Sequence, residues 1–312
     1  MSESENLQIE KQLNRKEISR IGWALTALIL FSQIGARVIM LICKGFFNEL
    51  TQTSVYNLII GTLPIYLIGL PIFLLIIRKV PKENINKSSK LTIIQLIKFT
   101  IISFATMYVF NILGMSINLG ISILKGSNVV NPLANLLGKI NIFETAFFVG
   151  VLAPIMEEII FRKILLSRLR KFGDFFSIIL SALVFGMFHG NLSQFFYAFA
   201  LGCIFAYIVI KTGTVKYSII LHIIINLFGT VIIPTIILTQ NLILTGIVGL
   251  FVFAIIIVGI VLFILNIKKV VLEKSTLKLT KSEQFQLMFK NSGMIVYSIL
   301  FVVLVISVII AT

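Results

Sequence analysis

The run "LILTGIVGLFVFAIIIVGIVLFILN" (residues 242–266) contains no charged side chain, and Thr245 and Asn266 are its only polar ones. About 20 residues of helix cross the hydrocarbon core of a bilayer, and helices in soluble cores do not need an apolar run of this length. The run therefore predicts a membrane-spanning helix.

Further apolar segments accompany this run along a chain of 312 residues, of which 58% are hydrophobic and 12% are charged. A soluble domain has about 25% charged residues, so this chain lacks the side chains for a water-facing surface on all sides. The sequence predicts an all-α, polytopic membrane helix bundle of about nine transmembrane helices. The predicted spans are residues 21–43, 55–77, 99–124, 142–161, 175–190, 193–210, 217–238, 242–266 and 293–311.

The basic residues outside these spans are concentrated in alternate connections. Counted from the N-terminal tail, alternate connections hold 23 Lys and Arg residues, and the remaining connections hold 3. Cytoplasmic loops carry this excess of basic residues, so we expect the N-terminus in the cytoplasm and the C-terminus outside. Contact with anionic membrane lipid explains the net charge of +15, and no feature supports binding to nucleic acid.

No segment predicts a separate soluble domain. We divide the chain into an N-terminal tail with two accessory helices (1–94), a core bundle (95–266), and a linker with a final transmembrane helix (267–312). The basic linker fits an amphipathic helix on the membrane surface as well as a solvated connection. The first apolar run is longer than the hydrophobic region of a signal peptide. We therefore expect a retained anchor and a multi-pass protein of the cell membrane.

Two adjacent carboxylates interrupt the apolar segment "APIMEEIIFR" (153–162). An ionisable group at the centre of a transmembrane helix costs about 2.5–3.5 kcal/mol on insertion scales, and such groups usually mark a functional site inside the bundle. Glu158 and Arg162 are four residues apart on one helix face, so we expect them to pair. Glu157 points about 100° away from that face, and we infer that it faces a polar cavity.

The chain has two histidines, and both lie in predicted spans. In "FGMFH" the supporting residue Phe185 precedes His189 by four positions, and in "HIIIN" Asn226 follows His222 by four, so each pair shares a helix face. A single histidine on an apolar helix is more often a core residue than a ligand. Two histidines with an unpaired carboxylate and an amide indicate a functional cluster.

Small residues on neighbouring spans predict a close helix contact. Gly186 and Gly190 are four positions apart, and small residues repeat that spacing in 198–206. In membranes such residues let helix backbones approach closely. We expect this contact to bring His189 near a neighbouring backbone.

A carboxylate, two imidazoles and an amide in a dry cavity suit the activation of water for attack on a carbonyl. Glu157 can act as the general base, and His189 can hold the water and pass on its proton. His222 and Asn226 can donate hydrogen bonds to the developing oxyanion. No serine or cysteine stands beside a histidine as an evident nucleophile, so direct attack by water is preferred.

The same residues allow a metal-dependent alternative. Two histidines and a glutamate are one ligand set of catalytic zinc, so Glu157, His189 and His222 are candidate Zn²⁺ ligands. The sequence has no HExxH motif, and the pattern does not decide between a base and a ligand role for Glu157. The cofactor is therefore either Zn²⁺ or none.

The stretches "EEIIFR" (157–162), "FGMFH" (185–189) and "HIIIN" (222–226) resemble the three motifs of the CPBP intramembrane protease family. This family includes the Rce-type CaaX prenyl endopeptidases and the bacterial Abi proteins. Order, residue types and helical context match at all three motifs.

The resemblance extends over about residues 95–240. It implies a multi-helix fold with a conical cavity that faces the cytoplasm, and hydrolysis of peptide bonds within the membrane. It also implies a supporting role for Glu158 and Arg162.

In the same family pattern, Glu157 and His189 activate the water, and His222 and Asn226 form the oxyanion site. The family is also often described as metal-dependent. The resemblance therefore implies the same roles as the side-chain chemistry and keeps the question of the metal open.

The expected substrate is a membrane-bound or amphipathic peptide or protein. A composition rich in Ile, Asn and Lys indicates an AT-rich bacterial genome, so we expect a bacterial plasma membrane protein. Bacterial relatives are linked to peptide-pheromone processing, bacteriocin self-immunity and regulation of surface proteins. The alternative is a non-catalytic protein, such as a bacteriocin immunity partner, a transporter or a scaffold, that uses the polar cluster for packing.

Overall fold

The structure of the protein is a computed structural model that describes residues 3–83, 89–138, 140–275, 277 and 279–311. Within these ranges every regular element is a helix. The α-helices are α1 (Glu3–Phe46), α2 (Ser54–Pro64), α3 (Leu70–Ile77), α4 (Ile93–Lys125), α5 (Pro132–Leu137), α6 (Ile142–Glu144), α7 (Ala153–Glu158), α8 (Leu166–Leu169), α9 (Asp174–Phe188), α10 (Leu192–Thr212), α11 (Lys216–Leu227), α12 (Ile233–Leu238), α13 (Leu242–Ile267), α14 (Lys281–Phe289) and α15 (Ser292–Ala311).

Seven helical segments in the described part of the chain are long and apolar enough to cross a membrane, which confirms the all-α polytopic bundle. They coincide with seven of the nine predicted spans. The other two predictions, 142–161 and 175–190, fall on a series of short helical pieces and on α9. The 15 residues of α9 extend about 22 Å, less than the ~30 Å of a hydrocarbon core. The number of spans and the side of the N-terminus stay predictions.

The segment before the first predicted span is helical, and the expectation of a tail there is corrected. α1 begins at Glu3 and continues without interruption to Phe46. Residues 3–21 contain no glycine or proline and are rich in Glu, Lys, Gln and Leu, which have high helix propensity. The amphipathic linker after the eighth predicted span also contains a helix, α14.

Three of the four π-helical turns in the described ranges end two residues before a proline. Proline has no N–H for the carbonyl four residues earlier, and its ring crowds that carbonyl, so the helix widens locally. The turns and their prolines are Ile65–Gly69 with Pro71, Thr145–Leu152 with Pro154, and Phe228–Ile232 with Pro234. A fourth turn, Ile159–Leu165, follows α7 directly. The two glutamates of α7 therefore lie between two π-helical turns.

The first of two compact units comprises residues 1–82 and 276–306, so far as these are described. Its helices α1 and α15 meet backbone to backbone at Gly22 and Gly293. A Cβ on Gly22 would lie 2.2 Å from the carbonyl carbon of Gly293. The Ser19 hydroxyl accepts a hydrogen bond from the Gly293 N–H at 3.0 Å. Glycine at both positions is therefore required for this contact.

The second unit comprises residues 83–275 and 307–312, with the same restriction to described residues. In it α10 packs against α9 and α4, α4 packs against α13, and α11 packs against α7 and the preceding π-helical turn. One core cluster joins α4, α10 and α11 and consists of Phe104, Leu201, Phe205, Ile208, Leu221 and Ile225. All predicted site residues lie in this unit.

The close contact predicted for small residues is confirmed between α9 and α10. A Cβ on Gly186 would lie 2.9 Å from the carbonyl oxygen of Phe195, and a Cβ on Gly202 would lie 3.0 Å from the Cα of Ala182. The connection between these helices is short because Gly190 adopts a φ of 64°. That turn places the C-terminal end of α9 next to the start of α10.

Candidate active site

Three helices of the second unit carry the predicted site residues. α7 carries the two glutamates, and the π-helical turn after it carries Arg162. His189 caps the C-terminal end of α9. α11 carries His222 and Asn226 and packs against α7. The site is therefore assembled from segments that are far apart in sequence.

Glu158 and Arg162 form the predicted ion pair. The Arg162 Nη1 lies 3.4 Å from the Glu158 Oε1, and both side chains are 0% exposed. The same Glu158 oxygen lies 3.1 Å from the His222 Nδ1. A carboxylate that pairs with a guanidinium only accepts hydrogen bonds, so the His222 Nδ1–H donates. Glu158 therefore fixes both a cation and the orientation of an imidazole ring.

Arg162 is enclosed by aromatic rings and by the backbone of α10. Its guanidinium carbon lies 4.1 Å from the centroid of the Phe185 ring and 5.7 Å from that of Phe205. A Cβ on Gly202 would approach its Nη2 to 3.1 Å. Ring faces attract a desolvated guanidinium, so they stabilise this cation together with Glu158.

Glu157 differs from its neighbour in exposure. The Glu157 side chain is 17% exposed, against 0% for Glu158. Its Oε2 lies 3.6 Å from the His222 Nε2, which is beyond the usual hydrogen-bond length of about 2.7–3.2 Å. Glu157 is therefore the carboxylate of the pair that keeps access to water, as its rotation away from Arg162 predicts. The polar cavity that it was inferred to face stays a prediction.

The two nitrogens of His222 face two different carboxylates. The Nδ1 lies 3.1 Å from the Glu158 Oε1, and the Nε2 lies 3.6 Å from the Glu157 Oε2. The ring of His222 therefore lies between the paired glutamate and the partly exposed one.

Phe185 connects the two histidines. Its backbone carbonyl lies 3.0 Å from the His189 Nδ1, and because a carbonyl only accepts, that nitrogen carries the proton. In the neutral ring the His189 Nε2 is then a free acceptor. The Phe185 ring lies 5.0 Å from the His189 ring and 5.9 Å from the His222 ring, edge to face with both. Both imidazoles thus lie on the same side of the bundle.

Asn226 lies one turn after His222 on α11. Its Nδ2 donates a hydrogen bond to the backbone carbonyl of Val149 at 3.0 Å. The amide has a second N–H, which keeps the capacity to donate to a ligand. The bond to Val149 fixes the side chain next to the π-helical turn before α7.

The arrangement does not fit a three-ligand zinc site. Among the described residues, no group of three or more His, Cys, Asp or Glu side chains has the geometry to hold a metal ion. The His222 Nδ1 is engaged by Glu158, so only its Nε2 is left to face a ligand. We therefore derive no chemical step that uses a metal ion at Glu157, His189 and His222.

Sequence analysis did not identify Phe205 as part of the site. Its ring lies 5.1 Å from the His222 ring and also contacts Arg162. The residue lies three positions after Gly202, on the same face of α10. This position is the one feature of the sequence that places Phe205 near the helix contact. Phe205 is one of 27 phenylalanines, so residue type alone does not distinguish it.

Comparison with known proteins identifies the segment that carries this cluster. Residues 139–228 match the family model described as "Type II CAAX prenyl endopeptidase Rce1-like". This segment contains all seven predicted site residues. The matched segment is thus similar to this endopeptidase family. The clustered side chains therefore lie in the part of the chain that resembles these endopeptidases.

A curated relative is also similar to part of the chain. The chain is 29% identical over 161 residues to the protein named "Putative membrane peptidase YdiL" of Bacillus subtilis (strain 168). The alignment covers 51% of this chain and 65% of that protein, which is less than two thirds of its length. No solved structure matches the chain.

Proposed function

We propose that this protein is an intramembrane endopeptidase that hydrolyses peptide bonds of membrane-associated peptides or proteins. The observation that carries the proposal is the contrast between the two adjacent glutamates. Glu158 is fully buried and paired, while Glu157 keeps contact with water beside His222. A scaffold that used these groups only for packing would not need a second, partly exposed carboxylate in an apolar bundle.

Glu157 and His189 activate the water. The Glu157 carboxylate accepts a proton from the attacking water as general base, which contributes about 10²–10⁴-fold to the rate of such a reaction. The His189 Nε2 accepts the second hydrogen bond of the water, because its Nδ1–H is held by the Phe185 carbonyl. The water oxygen is then oriented toward the substrate carbonyl carbon.

His222 and Asn226 stabilise the oxyanion. The His222 ring is oriented by Glu158, and the Asn226 amide is oriented by the Val149 carbonyl. The outward N–H of each side chain can then donate to the carbonyl oxygen as it becomes negative. Donors fixed before the reaction lower the barrier more than mobile ones, and removal of one typically costs about 10²–10³-fold in kcat.

The reaction balances without a covalent intermediate. A C–O bond forms between the water oxygen and the carbonyl carbon, and the C–N bond of the peptide breaks. The proton that Glu157 took from the water passes to the departing nitrogen, which leaves as an amine. Glu157 returns to its ionised form for the next turnover.

The substrate must reach a site inside a helix bundle in the membrane. A protein or peptide that is itself anchored in or adsorbed to the membrane meets this condition. The family match and the Bacillus relative support a bacterial plasma membrane as the location. We propose the N-terminus on the cytoplasmic side, because the connections on that side carry the excess of basic residues.

The proposal is tested by comparing new protein N-termini in membranes of cells that express matched amounts of four proteins. These are the wild type, Glu157→Gln, His189→Gln and the control Glu49→Gln. Glu49 is exposed and lies in the other compact unit, so its substitution changes the same functional group away from the site. We expect new termini with the wild type and the control, and their loss in the two site variants. Identical sets of termini in all four samples would show that the cluster serves packing.

A further inference from the structure

A cavity of about 540 Å³ lies within the second unit, away from the glutamates. It is bordered by the N-terminal ends of α4 and α9, by the C-terminal half of α10 and by the C-terminal end of α13. These helix ends lie on the side of the bundle that carries the predicted cytoplasmic connections. Small-molecule sites in proteins usually have volumes of about 300–1,000 Å³. None of the predicted site residues lines this cavity, so it is a second candidate site.

The charged groups that line the cavity are all basic. They are the ammonium groups of Lys98, Lys211 and Lys269, and no carboxylate lines the cavity. Within the described part of the chain, none of these three lysines has an ion-pair partner. The Lys211 Nζ lies 5.8 Å from the Phe99 ring centroid and 5.9 Å from that of Tyr207. The aromatic rings hold this ammonium group at the cavity without neutralising it.

Most of the remaining cavity wall is apolar, and Gln95, Asn266 and Tyr207 are its polar side chains. Ile178, Ile179 and Ile204 form part of its floor. At its border, Phe175 is 63% exposed and Phe263 is 45% exposed. A ligand for this cavity must therefore combine an anionic group at one end with an apolar part at the other.

We propose that this cavity binds an anionic phospholipid, with the phosphate at the three lysines and acyl carbons along the isoleucines. Charge complementarity and the presence of anionic lipid on this side of the membrane support this assignment. The cytoplasmic leaflet contains anionic lipids, which basic side chains at the surface attract by about fivefold in affinity for each residue. The same side of the bundle presents the three unneutralised ammonium groups. A soluble peptide would leave the exposed aromatic border uncovered.

Binding of an anionic phospholipid is tested by native mass spectrometry. The delipidated, full-length protein is titrated with phosphatidylglycerol or with phosphatidylcholine. We expect the wild type to bind phosphatidylglycerol at least fivefold more tightly. Lys98→Gln, Lys211→Gln and Lys269→Gln should each reduce this preference by about fivefold, and the triple variant should abolish it. The matched control is a triple Lys→Gln variant at exposed lysines outside the cavity, on the same predicted side: Lys82, Lys163 and Lys216.

A second variant tests whether lipid binding depends on the apolar wall of the cavity or only on the surface charge. Ile179→Trp fills the apolar floor and keeps all three lysines, so we expect it to lose bound phosphatidylglycerol while the control triple retains it. Inorganic phosphate at equal concentration should not displace the lipid, because it has no acyl chain. The proposal is overturned if the wild type binds both lipids equally, or if the cavity triple and the control triple lose equal amounts of binding. It is also overturned if phosphate displaces the lipid, or if Ile179→Trp binds phosphatidylglycerol as the wild type does. Thermal unfolding in phosphatidylcholine identifies any variant that fails to fold.

Discussion

At the scale of single residues, the ion pair of Glu158 and Arg162 determines the arrangement of the site. Both side chains are fully buried, and the desolvation of such a pair consumes much of its Coulomb attraction. The ion pair therefore contributes to the site mainly by orienting the neighbouring side chains. Glu158 fixes His222, and Arg162 contacts the ring of Phe185, which in turn contacts both histidines.

Arg162→Met should destabilise the protein by about 3–5 kcal/mol, because it leaves the buried Glu158 charge without a partner. The double variant Glu158→Gln/Arg162→Met removes both charges and should recover most of that loss. A double-mutant cycle of unfolding free energies in mixed micelles measures this coupling. Additive losses in the double variant would show that the two residues do not stabilise each other.

Removal of metal ions should leave peptide cleavage within about twofold of the untreated rate, because no group of three His, Cys, Asp or Glu side chains among the described residues has the geometry to hold a metal ion. The measurement is the cleavage rate of purified protein before and after treatment with 1,10-phenanthroline. A loss above tenfold that added Zn²⁺ restores would contradict this prediction.

The sequence allows part of this site to be predicted. The pairing of Glu158 with Arg162 follows from their spacing on one helix, as does the outward rotation of Glu157. The contact between Glu158 and His222 joins residues 64 positions apart, so it depends on how α7 and α11 pack. No local pattern contains that information, and the contribution of Phe205 was missed for the same reason.

At the scale of helices, the packing of α9 against α10 positions His189 at the end of α9. Gly186 allows this packing because a side chain there would meet the Phe195 carbonyl. Small residues at four-residue spacing predicted the contact correctly. The π-helical turns were not predicted, because a proline shows where a helix is disturbed but not how the backbone relaxes.

Gly186→Ala should lower stability by about 1–3 kcal/mol through overpacking and should reduce cleavage by displacing His189. Gly249→Ala in α13 is the matched control, since a Cβ there meets no atom within 4 Å. That change should be neutral or should stabilise the helix by up to about 1 kcal/mol. Thermal unfolding in detergent compares the two. Equal midpoints for both variants would contradict a tight contact at Gly186.

The docking of α14 on α1 should depend on pH. The Lys11 Nζ lies 2.5 Å from the Glu283 Oε1, and this hydrogen bond, with others from Thr280, lowers the pKa of Glu283 to about 2. An unfolded glutamate titrates near 4.3. The stabilisation is therefore complete above about pH 4.3 and is lost as the pH falls toward 2.

Spin labels at residues 16 and 286 report the separation of these two helices in this unit. In the wild type the distance distribution should broaden between about pH 4.3 and 2. The side-chain amide of Glu283→Gln does not take up a proton in this range, so the distance distribution of this variant should not change with pH. A wild type that behaves like Glu283→Gln would show that the ion pair does not hold α14.

At the scale of the whole molecule, the chain combines two compact units. Composition and hydrophobic runs predicted an all-helical membrane protein, because the bilayer requires long apolar segments. The number of spans stays a prediction, because the 15 residues of α9 are shorter than the other apolar helices that coincide with predicted spans. The division at residues 94 and 266 stays a prediction, while contacts divide the chain near residues 82 and 276.

The central claim is that Glu157 activates water for peptide-bond hydrolysis in this bundle. The most direct measurement is the cleavage rate of internally quenched, membrane-anchored peptides by purified protein in lipid vesicles. Relative to the wild type, Glu157→Gln should lower kcat by at least ~100-fold, while Glu49→Gln should leave it unchanged. Cleavage by folded Glu157→Gln at the wild-type rate would contradict the claim.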